Sequence, residues 1–132
     1  MTTFKSSATI NKPVNDVYLF LSDMNNHRQL MPEGVQDWVS TIDTASFGVQ
    51  NNMLKLSLKI EGRVLNEEIR IIPFEKPPFD LDIKWALSSN NNQTDVVYTI
   101  QADLNMMMKM MASGPLQKLA DHEVNTLARV LS

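Results

Sequence analysis

Few side chains in this 132-residue sequence have the type and setting to do chemistry, and Glu123 is the most informative of them. It stands in "LQKLADHEVNTLARVL", where Leu116, Leu119, Ala120, Val124, Leu127, Val130 and Leu131 recur at helical spacing. A step of ~100° per residue carries Glu123 almost to the middle of that apolar stripe. Burying an unpaired carboxylate is expensive, so Glu123 must be paired, protonated, hydrated or turned towards a polar part of a cavity. The functional reading is an anchor for a ligand's polar group, or a general acid or base with a raised pKa. The plainer reading is a basic partner nearby, or a side chain that snorkels to water. His122 falls on the polar flank of the same helix and His27 in the polar segment "NNHRQ", so both read as exposed surface histidines. Glu67, at the head of the strand holding Ile69 and Ile71, reads as a wet strand end. No Ser–His–Asp spacing, glycine-rich phosphate loop, HExxH or paired-carboxylate motif is present, and no catalytic residue is assigned.

The second unusual feature is "NMMMKMMASGP", Asn105 to Pro115, which holds five of the nine methionines. Methionine is unbranched and polarisable, so a cluster of them can repack around ligands of different shape. Met106, Met107, Met108, Met110 and Met111 either form an adaptable surface at the mouth of a pocket or fill an irregular gap around Gly114–Pro115. A Cu(I) thioether site finds no neighbouring His or Cys to complete it, so no metal site is assigned. Proline inside a helix removes a hydrogen bond and costs about 3 kcal/mol, which predicts a short helix capped by Asn105 and a kink or restart at Pro115. In an unbroken helix, Lys109 would swing to the centre of the apolar stripe.

Composition narrows the classes. The formal net charge is −3, charged residues make up 20%, and acids and bases are interspersed. No basic run or stripe exists to attract phosphate backbones, so nucleic acid is not an expected partner. The absence of cysteine removes disulfides and thiolate chemistry. The polar, alternating start "MTTFKSSATINK" has no apolar core of a signal peptide, and no apolar run approaches the ~20 residues of a membrane span. A cytoplasmic chain with no stable membrane insertion and no cofactor is the expectation; its oligomeric state stays open.

The elements that must position these residues follow from periodicity. Phe4, Ser6, Ala8 and Ile10 share one face of a first strand. "NKPVNDVYLFLSDM" changes to helical spacing at Val14, Val17, Tyr18 and Leu21, with Pro13 in the first turn, and "NNHRQLMPEG" reads as a second short helix. From Val35 to Leu104 the period returns to two. "QDWVSTIDTASFGV" holds two short strands, and "QNN" at Gln50–Asn52 signals a hairpin. "MLKLSLKI" turns Leu54, Leu56, Leu58 and Ile60 inward, and "EGRVLNE" is the turn into "EIRIIP". "EKPP" is a loop. "FDLDIKWAL" aligns Phe79, Leu81, Ile83, Trp85 and Leu87; "SSNNNQ" turns; and "TDVVYTIQADL" aligns Val96, Tyr98, Ile100, Ala102 and Leu104. The last segment is the long helix bearing Glu123.

The predicted class is α+β: a curved antiparallel sheet of about six to seven strands wrapped around a long C-terminal helix, with two short helices after the first strand. One domain, residues 1–132, accommodates it. The segments "SSATINKPVNDVYLFLSDMNNHRQLMPEGVQDW" and "ADLNMMMKMMASGPLQKLADHEV" resemble the opening and the close of START-like (Bet v 1-like, SRPBCC) proteins, small bacterial relatives of polyketide cyclase and dehydrase proteins among them. The resemblance spans essentially the whole chain and implies the helix-grip fold, with the stretch before and into the last helix close to a pocket entrance. It implies no single activity, because that superfamily includes lipid carriers, hormone receptors, cyclases and chaperone activators.

The expectation is therefore a binding protein that holds a hydrophobic or amphipathic small molecule, lipid-like or aromatic, between sheet and helix. The candidate lining is Trp38, Phe47, Leu56, Leu58, Ile69, Ile71, Trp85, Tyr98, Met107, Met111 and Glu123. Tyr98 and Glu123 would orient the ligand's polar group. The alternatives are a cyclase-like or dehydrase-like enzyme using Glu123 for proton transfer, and a protein-interaction module with a solid core.

Overall fold

Alternation along β1 (Thr2–Ile10), β4 (Leu54–Val64), β6 (Leu81–Asn90) and β7 (Gln93–Ala102) sends every second side chain to one face, and that face is the dry one. With β2 (Gln36–Ser40), β3 (Thr44–Val49) and β5 (Glu68–Pro73) these form a seven-stranded, curved antiparallel sheet in the order β1-β7-β6-β5-β4-β3-β2. The computed structural model describes residues 1–49, 54–75, 77 and 79–132. The hairpin expected at Gln50–Asn52, the side chain of Leu54, and Lys76 and Pro78 of the expected loop lie outside the described residues.

Register explains how the dry face is built. Phe4, Ile100, Ile83, Ile71 and Ile60 stand opposite one another across five strands, an unbroken apolar row. The neighbouring row places Tyr98 beside Trp85 and Trp85 beside Ile69. β4 runs on to Val64, so the turn expected over Glu61–Glu67 shrinks to Leu65–Glu67. A bulge between Ile60 and Gly62 absorbs the extra residue, which bends the strand and strengthens the local twist. Asn91 and Asn92, at φ 50° and 70°, make the two-residue β6–β7 turn, a conformation that asparagine tolerates better than most residues.

Between β1 and β2 the chain folds into α1 (Val14–Leu21), α2 (Met24–His27) and a 3-10 turn at Arg28–Leu30. Pro13 occupies the position just before α1 in extended conformation, and Asp23 caps α2 by accepting from the Asn25 N–H at 2.9 Å. Val17, Leu21, Met24 and Leu30 are buried, with α1 against β5, β6 and β7 and α2 against β3. The Arg63 guanidinium ties β4 to this corner, donating to the Ser22 carbonyl and to Asp43, each at 2.7 Å.

The long helix α3 (Met106–Val130) packs along β1 and β7 through Ala120, Val124 and Leu127. Asn105 caps it, its side chain accepting from the Met108 N–H at 2.8 Å. The expected break at Pro115 does not occur, and the helix is continuous through it. The proline withholds an N–H from the carbonyl of Met111 alone, and Met111 lies on an exposed turn where water can take that acceptor's place. Lys109 stays exposed, away from the apolar stripe.

Candidate functional site

Between the sheet and α3 lies a cavity of about 530 Å³. Its sheet side includes Leu56 and Leu58 of β4, Ile71 of β5, Ile83 of β6, and Tyr98 and Ile100 of β7. Trp38 of β2 and Phe47 of β3 close one flank, stacked with ring centroids 5.1 Å apart and planes 17° from parallel. α2 and the loop after it add Met24, His27, Met31 and Glu33.

α3 supplies one wall from a single face. Met108, Met111, Ala112, Pro115, Leu119 and Glu123 are spaced by three and four residues, so they stack above one another along the helix. Glu123 is 2% exposed. The Tyr98 hydroxyl donates to its Oε2 at 2.6 Å. Burial pushes the Glu123 carboxyl up to about 8, the hydrogen bond from Tyr98 acting in the opposite direction. The Tyr98 phenol is raised well above its ordinary value, first by burial and then by the adjacent carboxylate. At neutral pH both groups therefore keep their protons. Oε1 of Glu123 has no hydrogen-bond partner among the described residues.

His27 contributes a second buried polar group. Its Nε2 lies 2.8 Å from the Leu21 carbonyl, and since a carbonyl only accepts, Nε2 carries the N–H. Burial lowers the pKa of the ring, opposed by the Leu21 hydrogen bond and by Asp23, so the neutral ring keeps a lone pair on Nδ1. Trp85 stands behind the wall between these groups, 4.0 Å from the Tyr98 ring and 6.3 Å, edge-on, from that of His27. Among the described residues no group of three His, Asp or Glu side chains is placed to hold a metal ion.

No protein-family model matches the sequence, and no curated protein matches it. Solved structures do match. The chain superposes on the protein XoxI from Bacillus cereus with a TM-score of 0.79 at 10% identity, over 99% of this chain and 96% of that one. A START superfamily protein from Mycobacterium smegmatis matches with a TM-score of 0.70 at 12% identity, over 98% and 96%. The Aha1 dimer from Colwellia psychrerythraea matches with a TM-score of 0.69 at 15% identity, over 99% and 96%.

This is the START-like helix-grip fold. Likeness at such low identity is a likeness of architecture, and no activity comes with it.

Within the helix-grip frame, Trp38, Phe47, Leu56, Leu58, Ile71, Tyr98, Met111 and Glu123 of the expected lining stand on the cavity wall. Three do not. Ile69 and Trp85 face the same side of the sheet but are wholly buried in the core, in the row that α1, α2 and their neighbours cover. Met107 is 71% exposed, because the unbroken helix puts it ~100° away from the wall and brings Met108 there instead. Met106 and Met110 also face outward, and Met111, 73% exposed, sits at the mouth. His27 is the other correction: expected at the surface, it is 2% exposed and lines the cavity. The spacing Leu21, Met24, His27, Leu30 is the signal that could have found it, since residues three apart share a helical face.

Proposed function

We propose that this chain is a single-domain binding protein which takes a hydrophobic or amphipathic small molecule, lipid-like or aromatic, into the cavity between its sheet and α3. The observation that carries this reading is the cavity itself: about 530 Å³, walled mainly by apolar and aromatic side chains, with the Tyr98–Glu123 pair buried on its wall. Ligand sites of small-molecule binders run from roughly 300 to 1,000 Å³ and combine apolar walls with a few placed polar groups. Affinity would come from removing apolar ligand surface from water, at about 25 cal/mol per Å². The half-exposed aliphatic and thioether side chains at the mouth suit guests of varied outline. The open space between sheet and helix supports this reading over a solid-core interaction module.

The test uses the neutral dye N-phenyl-1-naphthylamine, whose fluorescence rises in apolar surroundings. Wild-type protein should bind it saturably at one site, and Ala112→Trp, which fills the cavity from α3, should abolish binding while the protein stays folded by circular dichroism. Equal binding by both proteins would place the dye elsewhere and overturn the reading.

One observation favours a second reading, proton-transfer catalysis: a carboxyl raised to about 8 can give and take protons near neutral pH. A substrate turned over by wild type but only bound by Glu123→Gln would select it.

A further inference from the structure

The polar groups that reach the cavity specify more than apolarity. Among the described wall residues there is no Lys or Arg. The ionisable side chains on the wall are Glu123, Tyr98 and His27, all buried, and Glu33, which is exposed. Asp121 and His122 neighbour Glu123 on its own helix and lie off the wall.

Each buried group has one hydrogen-bonding function already committed. Oε2 of Glu123 accepts from Tyr98, so a protonated carboxyl places its O–H on Oε1, which has no partner among the described residues. Nε2–H of His27 is committed to Leu21, which leaves Nδ1 as an acceptor. Glu123 and His27 thus leave a neutral donor and a neutral acceptor uncommitted on the wall, and the indole N–H of Trp38, on the flank formed by β2, is a further donor with no partner among the described residues.

We propose that the Tyr98–Glu123 end of the cavity recognises an uncharged oxygen function, a hydroxyl or a carbonyl at the head of an apolar molecule, and discriminates against alkyl carboxylates and alkylamines. The proposal rests on the binding reading above. A hydroxyl or carbonyl oxygen accepts the Oε1–H of Glu123, and a hydroxyl has in addition a proton to donate. A carboxylate would bring a net charge to a wall whose described residues hold no cation to meet it, and buried charge without a partner is strongly unfavourable. At the Tyr98–Glu123 end an ammonium would have to ionise Glu123 in the same apolar surroundings, the other wall carboxyl, Glu33, being exposed, and it would leave most of its three N–H donors without acceptors.

Four twelve-carbon probes decide the matter by displacement of N-phenyl-1-naphthylamine at pH 6.5: 1-dodecanol, 2-dodecanone, dodecanoate and dodecylamine. The alcohol and the ketone should bind at least about tenfold more tightly than the two ions. Glu123→Leu should erase most of that advantage, read as the ratio of alcohol or ketone affinity to ion affinity within the same protein, and Glu123→Gln, which keeps a donor, should preserve it. An advantage undiminished in Glu123→Leu would reduce the effect to simple desolvation and overturn the proposal. So would dodecanoate or dodecylamine binding as tightly as dodecanol, whether or not Lys76→Ala, at the one Lys or Arg outside the described residues, removes that binding. Dye bound without preference sinks this inference alone; a wild-type protein that takes up neither dye nor probe sinks the binding reading with it.

Discussion

The hydroxyl of Tyr98 on β7 donates a 2.6 Å hydrogen bond to the carboxyl of Glu123 on α3, with both residues buried. This bond joins the sheet to the long helix at the cavity wall. It also satisfies the phenol, whose donor would otherwise be buried without a partner. Replacing Glu123 by leucine would leave that hydroxyl orphaned, at a cost of about 1–3 kcal/mol.

Glu123 makes stability depend on pH. The unfolded chain releases this proton near the ordinary value of 4.5, the folded protein near 8. Between those values the unfolded state holds fewer protons, so the contribution of Glu123 to stability is full below 4.5 and falls as pH rises towards 8. The full loss is on the order of 5 kcal/mol. Glu123→Gln keeps an acceptor for Tyr98 and should flatten the unfolding free energy across this window. Denaturant titrations at intervals from pH 5 to 8 provide the check, and an unchanged slope in the variant would contradict it.

His27 acts with the opposite sign. Its folded pKa lies below the ordinary 6.5, so the unfolded chain takes up the proton first and stability drops as pH falls through and below that value. His27→Gln retains a donor for the Leu21 carbonyl and should blunt the acid-side loss while leaving the neutral-to-alkaline decline due to Glu123. Tm measured against pH for both single variants and the double variant would separate the two contributions.

Pro115 sits inside α3 without breaking it. Pro115→Ala restores an N–H opposite the Met111 carbonyl and should stabilise the protein, by up to about 3 kcal/mol. Tm should rise by several degrees. An unchanged or lower Tm would mean that the proline ring's packing at the cavity wall outweighs the missing bond.

The adjacent methionines 107 and 108 should behave differently. Met107→Ala, at an exposed position off the wall, should alter stability by no more than about 0.5 kcal/mol and leave dye binding unchanged. Met108→Ala removes part of the wall and should weaken N-phenyl-1-naphthylamine binding several-fold. Equal effects at both positions would show that the wall runs along a different face of α3.

Local pattern made much of this architecture readable. Alternation along Phe4–Ile10, Leu81–Leu87 and Val96–Ala102 is imposed by the pleat, so strands and their inner faces are visible one residue at a time. The carboxylate at 123 was also legible, because a charge in an apolar helical stripe is a local contradiction that some partner must resolve. Its partner was not, since Tyr98 lies 25 residues away and only the packing of α3 across β7 brings the two within reach.

What the chain's own order of residues determined, then, is the set of elements and the side of each that avoids water, because both arise from backbone geometry repeated every two or every 3.6 residues. Tertiary structure decided which avoided side became core and which became cavity wall. Ile69 and Ile71 share a face of β5, yet the first is sealed in the core and the second borders open space. Whether Met107 or Met108 meets that space depended on α3 running straight through Pro115, and His27 left the surface because Asp23 and Leu21 fixed α2 against the sheet. Burial next to a void depends on what the opposite element fails to fill, and no single segment carries that information.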